Sequence, residues 1–286
     1  MCLVLVSDQI MDFQVLQNTL LNIPAFPYLW IPHCLLMSYL LRIDYGSNAV
    51  SIAKANPLSC YLKAILYTYP GGIMSSLLMA QPPFAFLANT STLLTMSISW
   101  YLIFFSPKDL GNQLIKAIRI PLSIPQDFLR LGLCLQGVSY VSSKHPNAFV
   151  YMIFFSLCKS SGFMFLKYFE YAFNNGLKKP LSIPNYPTKT CILASVMFAI
   201  QATKLYDFGG NGVILAGLTL IVISLRIYSM LVDITTSDPY QGLESLTCRV
   251  LFGLPPSEET EKASKKVLLK NRSRVVQFSN NCYFLF

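Results

Sequence analysis

The chain has 286 residues, 53% of them apolar and only 12% charged, and a formal net charge of +9. Soluble domains carry about 25% charged residues, and a mean hydropathy of +0.49 excludes an ordinary soluble domain. The basic balance does not point to nucleic acid, because Lys and Arg sit in loops and the tail, which is how membrane proteins encode orientation.

Seven apolar stretches follow one another, predicting an all-α membrane protein with seven transmembrane helices at 14–41, 58–79, 84–106, 120–140, 147–171, 188–206 and 211–232. Spans of roughly 20 residues use up the chain as far as residue 235. The expected organisation is a transmembrane domain over 1–235 and a basic, partly disordered tail over 236–286. Asp8 and Asp12 precede the first span, and no basic segment or small-residue cleavage site marks a signal peptide, so the first helix is expected to be retained. The second span is interrupted by Pro70-Gly71-Gly72, with Ser75 one turn on. Ala80-Gln-Pro-Pro83 then forces an antiparallel hairpin into the third span. The fourth is the weakest, holding Pro121, Pro125, Asp127, Arg130 and Gly132 in or near it. The fifth is interrupted by Lys159-Ser160-Ser161-Gly162.

In hydrocarbon a freed backbone carbonyl costs several kcal/mol unless protein or a water-filled path receives it. Breaks at matching places in two halves of a chain point to an ion or substrate path between internal repeats. Gly71, Gly72, Ser75, Ser160, Ser161 and Gly162 are therefore candidate path residues. Close helix packing is the other use of a Gly pair in a membrane, but packing does not require matched positions. Lys159, about a dozen residues into its span, is expected to face water, since a centred Lys costs about 2.5–3.5 kcal/mol. Lys189, after Tyr186-Pro187, is either an interface anchor or a charge at a pore mouth. Lys63, Lys167 and Arg226 lie near enough to span ends to reach the interface.

Nothing in the sequence suggests an enzyme. No nucleophile–base pairing, HExxH motif or phosphate-cradling loop occurs. The in-span carboxylates, Asp127 and Glu170, suggest no proton relay, and His33 reads as a polar packing residue. The eight cysteines show neither metal-site nor disulfide spacing.

The basic residues divide by side. Lys144 and Lys204 stand alone on one side; the other carries Arg42, Lys54, Lys108, Lys116, Arg119, Lys178, Lys179 and seven tail residues from Arg249 to Arg274. The positive-inside rule then places the N-terminus away from the cytosol and the tail within it. A seven-span receptor would share this topology, but the third span ends in Phe104-Phe105-Ser-Pro107 with no acidic-Arg-Tyr signature.

Several segments together resemble the trimeric intracellular cation (TRIC) channels. They are Tyr69-Pro-Gly-Gly-Ile-Met-Ser-Ser-Leu-Leu-Met-Ala-Gln-Pro-Pro83, Phe86-Leu-Ala-Asn-Thr-Ser-Thr-Leu-Leu94, Trp100 to Leu110, Asn185-Tyr-Pro-Thr-Lys189, Ala194 to Phe198, and Leu251-Phe-Gly253. The resemblance implies a homotrimer with one pore per protomer, built from two inverted three-helix repeats plus a seventh helix. It implies a potassium channel of the endoplasmic or sarcoplasmic reticulum membrane, with the nuclear envelope a further location, carrying counter-ion current as calcium leaves or enters the store. The N-terminus would be lumenal and the tail cytosolic. It implies no cofactor, but membrane lipid as a partner: a Lys and an Arg on the family's fourth helix hold an inositol phospholipid headgroup. Gln126 and Arg130 stand there in this chain. Two further departures bear on conduction. Pro70 replaces the first of a Gly triplet, and Phe163 puts a ring where the family has Gly, narrowing the path, while Lys159 keeps the basic position. The alternative is a non-conducting lipid-binding or assembly subunit derived from the channel fold.

Overall fold

The computed structural model describes residues 22–175 and 186–232. Every α-helix and strand-length element among them is helical: α1 Trp30–Tyr45, α2 Ala49–Ala55, α3 Pro57–Thr68, α4 Pro70–Leu78, α5 Thr90–Phe105, α6 Leu110–Lys144, α7 Phe149–Ser160, α8 Gly162–Asn175, α9 Tyr186–Ala202 and α10 Asn211–Val232. The start of the expected first span, Lys178, Lys179, the side chain of Arg226 and the tail over 236–286 lie outside the described residues.

The helices divide the sequence more finely than seven continuous spans, because the second and fifth expected spans are each broken in two. Among the described residues no single helix is long and apolar enough to cross a membrane. The pair α7 and α8 passes together, bent by 80° at its break.

Local chemistry sets the ends. Gly46, at φ 67°, stops α1 in a left-handed conformation that costs Gly little. Asn89 caps α5, its Oδ1 accepting the Thr92 N–H at 3.3 Å. After Phe105 the chain leaves the helix through Ser106 and Pro107, and Ser106 Oγ accepts the Gly111 N–H at 2.9 Å as α6 begins. The Arg42 guanidinium, near the end of α1, donates to the Ile103 carbonyl and pairs with Asp109 at 2.6 Å.

The fourth expected span is the largest difference. α6 begins at Leu110 and runs for 35 residues straight through Pro121 and Pro125. Each Pro removes one backbone donor, and the Ser123 hydroxyl donates to the Ile120 carbonyl at 2.6 Å. Lys116 and Arg119, expected in a loop, are therefore helical, as are Arg42 in α1 and Lys54 in α2.

The core has two parts. One joins Leu36, Met37 and Leu41 of α1 to Tyr67 of α3 and Met96 and Ile103 of α5. The other joins Leu131 and Val138 of α6 to Met152 and Phe155 of α7, Phe198 of α9 and Leu215 of α10. A polar seam runs through the second: Ser156 Oγ donates to the Cys134 carbonyl at 3.0 Å and lies 2.7 Å from Ser195 Oγ, which donates to the Cys191 carbonyl at 2.7 Å. These bonds satisfy buried hydroxyls while drawing three helices together.

The seam depends on Gly137, where a Cβ would stand 2.7 Å from the Ser156 Cα. Gly137→Ala is expected to destabilise the protein by about 1–3 kcal/mol, the usual cost of overpacking. Gly132→Ala, on the same helix with open space at its Cβ position, is expected to cost nothing. Thermal unfolding of both variants in detergent checks the contrast.

Candidate functional site: two helix breaks around a cavity

Both breaks are made in the same way. α3 ends at Thr68, where Tyr69 turns to φ −112°, ψ 19°, and α4 starts at Pro70. α7 ends at Ser160, where Ser161 turns to φ −115°, ψ 25°, and α8 starts at Gly162. Pro70 has no N–H to continue the ladder and suits a first helical position.

The two breaks touch. A Cβ on Gly71 would meet the Lys159 carbonyl oxygen at 2.1 Å, and one on Gly162 would meet the Gly71 nitrogen at 2.2 Å. Only residues without side chains allow such an approach. Gly72 differs: its Cβ position meets nothing within 4 Å.

The groups released by the breaks find partners within the bundle. His33 Nε2 donates to the Thr68 carbonyl at 3.0 Å, reaching from α1 to the end of α3. Ser160 Oγ donates to the Ser156 carbonyl at 2.9 Å. The Ser161 N–H bonds the Leu157 carbonyl at 2.8 Å, and the Met164 N–H bonds the Ser161 carbonyl at 2.9 Å. The reading of His33 as a mere packing residue misses this role. Its neighbour Pro32, within the first turn of α1, was the visible signal, but the carbonyl it serves is 35 positions away.

Around the breaks lies a cavity of about 450 Å³, walled by Pro70, Gly71, Gly72, Lys159, Ser160, Ser161, Gly162 and Phe163 and by residues of α1, α6 and α9. Lys159 lies on its wall and has no carboxylate partner among the described residues. Arg130 and Lys167 also line it. Phe163 sits on the wall with its ring edge against Tyr67, centroids 5.2 Å apart. At another part of the wall Trp30 packs on His33 and Tyr69, and Tyr69 stacks on Phe86 at 4.4 Å.

Three candidate residues are not on the wall. Ser75 is buried, with its hydroxyl donated to the Gly72 carbonyl at 3.0 Å. Lys189 is in the first turn of α9, where the neighbouring Thr188 lines the cavity instead. Gln126 is 1% exposed, and its amide has no hydrogen-bond partner among the described residues. The structure thus brings Arg130 to the cavity but not Gln126, which shares its helix face one turn earlier but is wholly within the packing there.

A polar cluster stands where snorkelling was expected. Lys63 pairs with Glu170 at 3.1 Å, and Lys167 pairs with both Glu170, at 3.1 Å, and Asp44. Tyr67 donates to Asp44 at 2.6 Å and accepts from Lys167 at 2.6 Å. Both lysines turn toward carboxylates within the protein rather than outward.

Residues 46–233 match the TRIC channel family. The chain belongs to that family. TRIC proteins are ion channels of membranes, not enzymes. A zebrafish (Danio rerio) trimeric intracellular cation channel type B is 30% identical over 240 residues, covering 82% of this chain and 81% of the relative. A TRIC channel from C. elegans, solved without Ca²⁺, superposes with a TM-score of 0.68 at 23% identity, covering 77% of this chain and 97% of that one. A TRIC counter-ion channel studied for its activity in calcium release superposes with a TM-score of 0.65 at 24% identity, covering 76% of this chain and 98% of that one. At such identity the two structures establish a shared TRIC fold.

The glycines at the contact make separable predictions. Gly71→Ala and Gly162→Ala are each expected to reduce the yield of monodisperse protein sharply, since each methyl would collide with backbone. Gly72→Ala is expected to leave it unchanged. Size-exclusion chromatography of the three variants in one detergent distinguishes them.

Proposed function

We propose that this TRIC protein is an intracellular monovalent cation channel carrying potassium as counter-ion while calcium leaves or enters the endoplasmic or sarcoplasmic reticulum. The observation that carries the reading is the meeting of the two helix breaks at a cavity inside the bundle. Irregular backbone at membrane depth is tolerated only where protein or a water-filled path receives it. The names of the relatives, trimeric intracellular cation channels, support the ion class, the trimer and the compartment.

In this reading the chain crosses the membrane seven times: α1, the α3–α4 pair, α5, α6, the α7–α8 pair, α9 and α10. The first six crossings form two inverted three-helix repeats. The basic tail over 236–286 is cytosolic and the N-terminus lumenal, following the charge asymmetry. The path runs beside Gly71, Gly72, Ser160, Ser161 and Gly162 in each protomer of a homotrimer, with Ser75 and Lys189 supporting its wall.

Fixed positive charge on a cation path shapes selectivity. Coulomb repulsion scales with ion charge, so Lys159 and Arg130 oppose a divalent ion twice as strongly as a monovalent one. The same charges suit an anionic inositol phospholipid headgroup, with Arg130 as its direct contact. Gln126 supports that helix from within the packing.

One observation favours the second reading, a non-conducting lipid-binding or assembly subunit: the Phe163 ring stands on the cavity wall, against Tyr67. Potassium-driven flux into liposomes containing the purified protein decides between them. Wild-type protein is expected to conduct. Gly72→Leu, which fills open space on the wall, is expected to cut flux while the trimer stays intact in native mass spectrometry. Trimers without flux would establish the second reading. In the same spectrometer, Arg130→Ala is expected to lose most of the bound inositol phospholipid; unchanged retention would remove Arg130 from the headgroup site.

A further inference from the structure

We propose that Cys134 and Cys191 form a modification site: a buried dithiol that a small peroxide oxidises to a disulfide, narrowing the cavity from behind. The disulfide stands on the geometry of the pair; its effect on flux rests on the cation-channel reading.

The fold creates the pair. The two cysteines are 57 positions apart, one on α6 and the other on α9, and they are buried at 0% and 1% exposure. The Cys134 Sγ stands 3.8 Å from the Cys191 carbonyl oxygen, and the two thiols are within hydrogen-bonding reach of each other. A disulfide places its sulfurs about 2 Å apart, with Cβ atoms roughly 3.5–4.5 Å apart. Thiols already in contact, on helices already packed together, need only a small approach.

The surroundings supply what the chemistry needs. Only a thiolate attacks an oxidant, and nearby positive charge and hydrogen-bond donors assist it. The Ser160 and Ser161 hydroxyls lie at the Cys191 sulfur, and the Arg130 guanidinium acts on it. Ser160 and Ser195 stand at the Cys134 sulfur. A niche of about 10 Å³, lined by Asp127, Arg130, Tyr186, Pro187, Thr190 and Cys191, adjoins the pair. It has room for about one water-sized molecule, and hydrogen peroxide is little larger. The Cys191 sulfur attacks one peroxide oxygen, the O–O bond breaks, and a sulfenic acid and one water form. The Cys134 sulfur then attacks the Cys191 sulfur and displaces the hydroxyl as a second water. Two thiols and one peroxide thus give one disulfide and two waters, and a dithiol reductant reverses the change.

Helical register carries the change to the cavity. Arg130 and Cys134 are at i and i+4 of α6, and Thr188 and Cys191 are at i and i+3 of α9, so each wall residue shares a face with its cysteine. Arg130 and Thr188 both line the main cavity. Drawing the cysteines together draws these two wall residues together. It also pulls sulfur away from the hydroxyls of Ser160 and Ser161, at the break itself. The oxidised form is therefore the narrower one.

The test treats full-length protein in liposomes with hydrogen peroxide, quenches with catalase, blocks remaining thiols with N-ethylmaleimide and maps peptides by mass spectrometry. A Cys134–Cys191 linked pair, lost in dithiothreitol, is expected. In the same vesicles thallium influx is expected to fall about fivefold, the lower end of ordinary coupling between sites, and to recover in dithiothreitol. Cys134→Ser and Cys191→Ser, which keep a polar group in the seam, are each expected to conduct as the reduced wild type does and to ignore peroxide. Absence of the linked pair in treated, intact trimers overturns the modification site. A linked pair with unchanged influx, in protein that conducts, overturns the narrowing and leaves the channel reading standing. A fall in influx that persists in Cys191→Ser assigns the response to another thiol and also overturns it. If wild-type protein is silent before and after treatment in vesicles that an ionophore can load, the channel reading falls, and the linked pair alone decides the modification site.

Discussion

The constraint on which the structure depends is a backbone contact without side chains. Gly71 and Gly162 let the second and fifth expected spans meet where each is broken: the Lys159 carbonyl lies where a Gly71 Cβ would go, and the Gly71 backbone where a Gly162 Cβ would go. From that contact follow the bend of α7 against α8, the position of Lys159 on the cavity wall and the joining of two separate cores. Gly111 and Gly137 permit other close approaches in the bundle. At the breaks the absence of side chains fixes the distance, and a single added methyl on either glycine would push the halves apart.

Breaking helices releases hydrogen-bonding groups, and most of the chemistry near the cavity deals with that release. Ser160 and the short turn after Ser161 serve α7 and α8 locally. Thr68 is served from a distance by His33 on α1.

The breaks were legible in the sequence because Pro, Gly and Ser are local signals: each acts on its own few residues, whatever the rest of the chain does. The end of α5 at Ser106-Pro107 was legible for the same reason. The same local reading failed for α6. Pro121 and Pro125 made the expected span 120–140 look weak, but the packing of α6 against α1, α7, α9 and α10 carries a helix that begins at Leu110 through both. The ion cluster was not legible at all. Asp44 and Lys167 are 123 positions apart, and hydropathy alone cannot distinguish a Lys that reaches outward from one that finds a carboxylate inside. Gln126 illustrates the opposite failure. Aligning its position with a family motif suggests a ligand contact, but whether a helix position faces a cavity or the packing is set by neighbours the motif does not contain.

The His33 contact has one more effect. Because Thr68 offers a carbonyl, the ring nitrogen facing it must carry the hydrogen, which fixes the tautomer. Nδ1 of the neutral ring is then left as a lone pair, and it has no hydrogen-bond partner among the described residues. His33 lines the cavity together with Arg130, Lys159 and Lys167. One imidazole thus holds a broken helix end with one nitrogen and, with the other, keeps an uncharged, solvent-inaccessible lone pair buried behind a wall that also carries ammonium and guanidinium groups.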